Sequence, residues 1–420
     1  MMFFYRLLWM ALTPAIYALW WHRARRGKED RARRPERFGV ASRARPQGRL
    51  VWLHGASVGE SVSLLALIDE LHAVHPEWSF LVTTGTVTSA TLMAQRLPPY
   101  AMHQFIPYDH PAWIARFLNH WRPSGVIWCE SEIWPGLLMA IRTRAIPAVL
   151  LNGRISDGSA RRWRWLHRSA ERLFGTFQLI AAQTPHDAER FRHFTRAPVV
   201  ELGNLKFVSA PLPVNQSDAE RLRTALAGKT VWAIASTHAG EEIIAADLHW
   251  ILAQKIPNLV TIIAPRHPQR VATIVAEIAT RGSIVRRSAG DMPSEGIYLW
   301  DTLGEMGTLY NVVKTIAMGG SFVPIGGHNP IEPAQSGCAV ICGPHMFNFT
   351  AIMDTFTSAD AIISVADADE LQKCLLDLWA QPQRTAALGA RAQAVCEDQK
   401  GTLPRLIAAL GPWRQAVANA

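Results

Sequence analysis

The sequence predicts an α/β protein: two doubly wound parallel-sheet domains facing across a cleft, in series behind an apolar helix at the amino end. Three observations predict it. Short apolar runs alternate with helical stretches along most of the chain, as strands and covering helices do in a parallel sheet. A stretch with two prolines, Ser and Asn, VSAPLPVNQSD at 208–218, divides that alternation into two similar series. Residues 1–21, MMFFYRLLWMALTPAIYALWW, are apolar apart from Arg6.

The chain has 420 residues, enough for two domains of ordinary size, and 49% are hydrophobic, which argues against disorder. After Arg6 the apolar run is about fifteen residues, short of the roughly twenty that a spanning helix needs. It carries no small-residue cleavage motif, which argues against a removed signal peptide. Residues 1–22 therefore read as a membrane anchor or a helix lying in the interface. The alternative is an apolar helix packed on its own domain.

The formal net charge is +9 and points to an anionic partner. Arg23, Arg25, Arg26, Lys28, Arg31, Arg33, Arg34 and Arg37 crowd a basic segment over 23–48. Such a flank would hold the chain on the cytoplasmic side of a membrane and attract anionic lipid, with Trp20 and Trp21 at the aromatic belt. No zinc-finger spacing or RNA-binding motif supports a nucleic-acid partner. The five cysteines, at 129, 338, 342, 374 and 396, form no C-x-x-C pair and suggest a reducing compartment.

An N-terminal domain is expected over 49–207, with strands RLVWLH, FLVTT, MHQFIPY, GVIWCE, AVLLN and LIAAQ. Helices are expected over 60–75, 87–96, 111–121, 134–144, 161–174 and 185–194. A second domain is expected over 219–420, with strands VWAIAST, LVTIIAP, SIVRR, IYLWD, KTIAMGG and AVICGP and a helical carboxyl end. Open α/β sheets bind ligands beyond the carboxyl ends of their strands, so the stretches following each strand are where a site should be sought.

The first of these, HGASVGES at 54–61, supports three readings. Gly55-Ala56-Ser57-Val58-Gly59 fits the G-x-S-x-G turn of serine hydrolases, with Ser57 as nucleophile. Against it, the turn follows the first strand, the fold has two matched halves, and no histidine stands out as its partner. Ser57-x-x-Glu60 also fits a helix capping box, with the carboxylate reaching back to the Ser57 amide. In the third reading Glu60 is catalytic.

In the second half, Asn329-Pro330-Ile331-Glu332-Pro333-Ala334 follows the Gly-rich run 319–328. Pro330 suits the first turn of a helix and places Glu332 in that turn. This resembles the donor-binding element of two-domain GT-B glycosyltransferases. Together with HGASVGE, CESEIWP, NGRIS, GNLKF, APRHPQR and GEMGTLYN, and with the anchor and the ERFG that ends its basic flank, the chain resembles the 3-deoxy-D-manno-octulosonic acid (Kdo) transferases of lipopolysaccharide synthesis.

The resemblance implies transfer of Kdo from CMP-Kdo to a sugar hydroxyl of the lipid A precursor, with inversion, at the cytoplasmic face of the inner membrane. A sugar hydroxyl needs a base to take its proton as the new bond forms. The family's candidate is Glu60, with Glu130 and Lys206 supporting the transition state. Glu332 and Asn329 would hold the nucleotide's ribose side, Arg266 and His267 its cytidine and phosphate, and the turn Gly304-Glu305-Met306-Gly307 would wrap it. Ser57 and Arg154 are placed at the acceptor or the Kdo acid group. The single phosphate of CMP needs no divalent ion and no metal-ligand cluster is visible, so neither metal nor cofactor is expected. Glu130 and Glu132 should alternate along an extended segment, so that only one faces the cleft. Two other readings compete: a glycosyltransferase with another nucleotide or acceptor, and a non-catalytic sugar-nucleotide or lipid-binding scaffold.

Overall fold

The computed structural model describes residues 2–130 and 132–420. The chain forms two compact units, one of Met1–Ser209 with Lys400–Ala420, the other of Ala210–Gln399. The first unit carries β1 (Leu50–His54), β2 (Ser79–Thr84), β3 (Ala101–Phe105), β4 (Gly125–Cys129), β5 (Ala148–Gly153), β6 (Leu179–Ala182) and β7 (Val199–Glu201). They form one parallel sheet in the order β3-β2-β1-β4-β5-β6-β7. The second unit carries β8 (Thr230–Thr237), β9 (Leu259–Pro265), β10 (Ile284–Arg286), β11 (Gly296–Leu299), β12 (Thr315–Met318), β13 (Ala339–Cys342) and β14 (Ile363–Ser364). Its parallel order is β10-β11-β9-β8-β12-β13-β14.

The strand order of each sheet reverses at its centre, between β1 and β4 and between β8 and β12. Ligands of doubly wound sheets bind at such switch points. The central strands are buried along their whole length on both faces, which is why they read as continuous apolar runs. The edge strands β7 and β14 are short and partly exposed. The sequence reading did not include them. The helix expected over 161–174 is two, Asp157–Trp165 and His167–Phe174.

Three expected boundaries change. The apolar amino end is two helices, Met2–Ala11 and Thr13–Arg25, and Pro14 lies in the first turn of the second. One face of the second packs against the unit. Ile16, Trp20 and Ala24 join Phe38 and Trp113 in a small core, so Trp20 is a packed residue rather than a belt residue. Phe4, Leu8, Met10, Leu19 and Trp21 remain exposed. No described helix is long and apolar enough to cross a membrane.

The basic segment is also partly folded onto the unit. Arg23 and Arg37 share the buried Glu29, and Arg37 reaches the Gly85 carbonyl at 2.6 Å. Arg33 pairs with the buried Glu36, whose carboxylate also accepts the Phe105 amide. Three of the arginines thus hold the fold.

The third change is at the carboxyl end. Leu403, Leu406, Leu410, Trp413 and Val417 enter the core of the first unit. Trp413 Nε1 donates to the Pro147 carbonyl at 3.1 Å. Gly125 opens β4 to the helix Gly411–Asn419: a Cβ there would overlap Val417 and come within 2.9 Å of Trp413. Residues 400–420 therefore belong to the first unit, not to a second domain running from 219 to the end.

Candidate active site

In the first unit, the turn after β1 is built around Glu60. Ser57 has extended backbone and caps the helix Val58–Val74. Its hydroxyl donates to Glu60 Oε1 at 2.8 Å and accepts from the Glu60 amide at 3.4 Å. The Ala56 amide donates to Glu60 Oε2 at 2.7 Å. The box therefore closes one residue earlier than expected, on Ala56 rather than Ser57. Glu60 is only 8% exposed. Burial pushes its pKa up, the Glu130 charge pushes the same way, and the bonds from Ser57 and Ala56 and the nearby His54 oppose them. The Ser57 proton goes to a carboxylate and not to an imidazole. His54, the nearest histidine in sequence, bonds Thr83 through Nδ1 and Glu132 through Nε2.

Glu130 stands at the end of β4 in the left-handed region, φ 60°. That conformation ends the strand, so Glu130 and Glu132 do not alternate along one extended segment; Ser131 lies outside the described residues. Glu130 Oε1 accepts from Lys206 Nζ at 2.8 Å and Asn152 Nδ2 at 3.1 Å. Asn152, at the end of β5, is itself left-handed, φ 54°. Its Oδ1 accepts the Leu205 amide at 3.1 Å, which positions the turn bearing Lys206. A Cβ on Gly59 would lie 3.6 Å from Lys206 Cε, which places the lysine beside the Glu60 turn.

Ser57, Glu60, Glu130 and Lys206 are thus brought to one edge of the sheet, at its switch point. Asn152 and the His54–Glu132 pair complete it; Glu132 is weighed in the sequence beside Glu130, whereas Asn152 and the His54 partner are not singled out there. Asn152 begins NGRIS, and its signal was a polar residue directly after a buried strand. Glu132 accepts from His54 at 3.0 Å. Burial works to raise its pKa, but the bond and charge interaction with His54 leave it lowered. Arg154 and Glu130 line one cavity of about 490 Å³, whose walls include Ile133, Trp163, Leu166 and Phe174.

In the second unit, β8 ends in an irregularity. Its register shifts between Ala235 and Thr237, and Ser236 is left-handed, φ 64°. Arg266 follows β9 and its amide bonds the Thr237 carbonyl at 3.0 Å. His267 packs edge-on to His238 at 5.6 Å between ring centres, and His238 Nε2 meets His328 Nε2 at 2.9 Å. Glu241 accepts three amides, from His238, Gly320 and Phe322, at 2.7–2.9 Å. Glu242 accepts from Thr237 and pairs with Arg270, each at 2.8 Å.

Asn329 Oδ1 accepts the Ile331 amide at 3.2 Å, an Asx turn that leads into the helix Ile331–Gln335. Pro330 falls just before that helix, and Glu332 is in its first turn. Glu332 lies near the buried Tyr310, whose pKa is raised by burial first and by the Glu332 charge second. The turn 304–307 is tied elsewhere. Glu305 accepts from Arg287 Nε at 2.6 Å and from Thr302. Gly307 lies against the linker, where a Cβ would overlap the Pro213 carbonyl and reach 2.9 Å from Leu212. Gly304, φ 82°, is the open position of that turn, and Met306 is half-buried. Among the described residues, no group of three or more His, Cys, Asp or Glu is placed to hold a metal ion.

Residues 32–209 match the family model for 3-deoxy-D-manno-octulosonic-acid transferase (kdotransferase). A protein of Arabidopsis thaliana named a probable mitochondrial 3-deoxy-D-manno-octulosonic acid transferase is 36% identical over 394 residues, 90% of this chain and 88% of its own. The transferases of Rickettsia bellii and Haemophilus influenzae are 34% and 31% identical, covering 89% and 98% of this chain and 90% and 98% of theirs. Among solved structures, UDP-GlcNAc 2-epimerase of Neisseria meningitidis aligns with a TM-score of 0.56 at 12% identity, over 85% of this chain and all of that one. Sucrose-phosphate synthase of Thermosynechococcus elongatus aligns with 0.53 at 12%, over 89% of this chain and all of that one. These two likenesses are of fold, the GT-B type expected from the sequence. Near-full-length identity to the transferases goes further, and the chain belongs to the 3-deoxy-D-manno-octulosonic acid transferase family of glycosyltransferases.

Proposed function

We propose that the enzyme transfers Kdo from CMP-Kdo to a hydroxyl of the lipid A precursor, with inversion at the anomeric carbon and Glu60 as the general base. The acceptor oxygen forms its bond to the anomeric carbon as Glu60 takes its proton. The bond from that carbon to the CMP phosphate breaks and CMP leaves with the electron pair. One observation carries this reading: Glu60 is a nearly buried carboxylate facing the charge of Glu130, and both effects raise its basicity. Lys206, paired to Glu130, supplies the positive charge that keeps two neighbouring carboxylates tolerable. The CMP phosphate is a single charge that Arg266 and neighbouring imidazoles can meet, so turnover is expected to survive EDTA.

The acceptor reading draws on the cavity beside Glu130, where apolar walls and Arg154 suit a lipid bearing phosphate. The exposed apolar face of the amino-terminal helices and the remaining basic residues suit the cytoplasmic face of an anionic inner membrane. A second reading has its own support: both Glu60 oxygens are used in capping, so the residue is a helix cap alone. Purified enzyme given CMP-Kdo and a tetraacylated lipid A precursor decides between them. Mass spectrometry of the glycolipid should show Kdo addition by wild type and none by Glu60→Gln, with CMP binding kept. Normal turnover in that variant, with only a lower melting temperature, leaves Glu60 a cap and moves the base to Glu130 or Glu132.

A further inference from the structure

We infer that His238 and His328, with Arg266 and His267 beside them, form a receptor for the phosphate of the donor nucleotide that takes up a proton as the phosphate binds. The inference rests on the donor reading above and adds to it two residues and a proton.

The two imidazoles are almost parallel, 3° between planes with ring centres 5.1 Å apart, and they meet end to end, their Nε2 atoms 2.9 Å apart. At that distance one Nε2 must donate and the other accept, so the pair cannot be doubly protonated on both rings while this bond lasts. One nitrogen lone pair is therefore spent inside the protein. An anion oxygen offers both Nε2 atoms an acceptor. For each to donate, the accepting ring must carry a proton on Nε2; a ring that keeps its Nδ1 proton takes that second proton from solvent, a ring that switches tautomer takes up none, and in either case the bond between the rings opens.

The surroundings keep both rings neutral until an anion arrives. His328 is held to a pKa of about 4, by burial first and then by Arg266, His238 and His267. His238 is lowered for the same reasons, with Arg270 adding and Glu242 opposing. The two acidic neighbours are committed, Glu242 to Thr237 and Arg270, and Glu241 to the His238, Gly320 and Phe322 amides. What faces the pair is thus an arginine and a third imidazole, an arrangement that repels cations and suits a phosphate.

The backbone is bent to make the site. Ser236 is left-handed at the β8 irregularity two residues before His238. Gly320, φ 67°, closes on His328, where a Cβ would lie 3.1 Å from the ring. A left-handed non-glycine residue such as Ser236 is strained, and such strain persists where a site needs it. The place is the carboxyl end of β8, β9 and β12, the switch point of this sheet.

The test uses full-length enzyme and the methyl ester of CMP, a diester whose phosphate does not titrate between pH 6 and 8.5. Calorimetry in two buffers of different ionisation enthalpy reads protons exchanged on binding. Net uptake is expected, with affinity falling by up to about tenfold per unit of rising pH where one proton is linked. His238→Gln and His328→Gln should lose both the uptake and the pH dependence. Should either variant fail to fold, nitrogen resonances of labelled histidines in wild type report the same event, an imidazole becoming cationic as the ester is added. Binding without uptake, or uptake unchanged in both variants, overturns the receptor and leaves the donor reading standing. If neither the ester nor CMP binds wild type at all, the donor reading fails and the receptor with it.

Discussion

Glu60 in the first unit and Glu241 in the second occupy the same place in their folds. Each lies in the first turn of the helix that follows the central strand, and each carboxylate bonds back to the turn before it. Each also has a second acidic residue nearby that is paired with a cation: Glu130 with Lys206, Glu242 with Arg270. They differ in what they are bonded to. Glu241 accepts three backbone amides and is fully buried. Glu60 accepts one amide and one hydroxyl. An amide fixed in a turn cannot turn away, whereas a hydroxyl rotates. The base role proposed for Glu60 needs this difference: part of its bonding is replaceable, whereas that of Glu241 is fixed in the backbone.

The largest expected effect sharpens this. Glu60→Gln should lower turnover by about 10²–10⁴-fold, the usual worth of a general base. The fold should tolerate it. The Gln carbonyl can accept the Ala56 amide while its NH₂ donates to Ser57 Oγ. The pH sign supports this. The Glu60 pKa in the folded chain is raised, so its contribution to stability is present at low pH and lost as pH rises through the raised value. At pH 7.5 the variant never ionises and is spared that loss. Its melting temperature should match or exceed that of wild type.

Glu241→Gln should behave in the opposite way. A Gln NH₂ must now face an amide N–H that the carboxylate accepted, leaving a buried donor unmet at a cost of about 1–3 kcal/mol. Denaturant unfolding should show that loss in the second unit, and turnover should fall only as far as the loop 319–322 is displaced. If the two variants exchange phenotypes, with Glu60→Gln unfolding and Glu241→Gln inactive but stable, the comparison is wrong.

A smaller effect separates charge from bonding. Glu130→Gln removes the like charge beside Glu60, so the Glu60 pKa should fall and the acid limb of the pH–rate profile should move to lower pH. Turnover on the plateau should also fall, because Lys206 loses the Glu130 charge that pairs with it. An unmoved acid limb would mean that Glu60 is not the titrating base.

Much of this was legible in the sequence. Strands buried on both faces must be apolar throughout, and the polar stretches that follow them marked both sites. What was not legible depended on partners far apart in the chain. Glu132 is 78 residues from His54, and Lys206 reaches Glu130 from a turn that Asn152 holds. The left-handed backbone at Glu130 has no local signature, since neither glycine nor asparagine stands there. The carboxyl-terminal helices show an apolar face, but which core receives it was decided by Gly125, which leaves room on β4.

The smallest expected effect is the most discriminating for the turn itself. Ser57→Ala removes the cap, which should cost about 1 kcal/mol and about 2–4 °C in melting temperature for a unit of this size. It also removes a bond that lowers the Glu60 pKa, so the acid limb should move to higher pH, opposite to Glu130→Gln. Above that limb turnover should stay near that of wild type. A serine nucleophile predicts abolished turnover at every pH, and a serine that only caps predicts a lower melting point with an unmoved acid limb. A shifted limb with an intact plateau is expected only if the hydroxyl tunes a base that it does not replace.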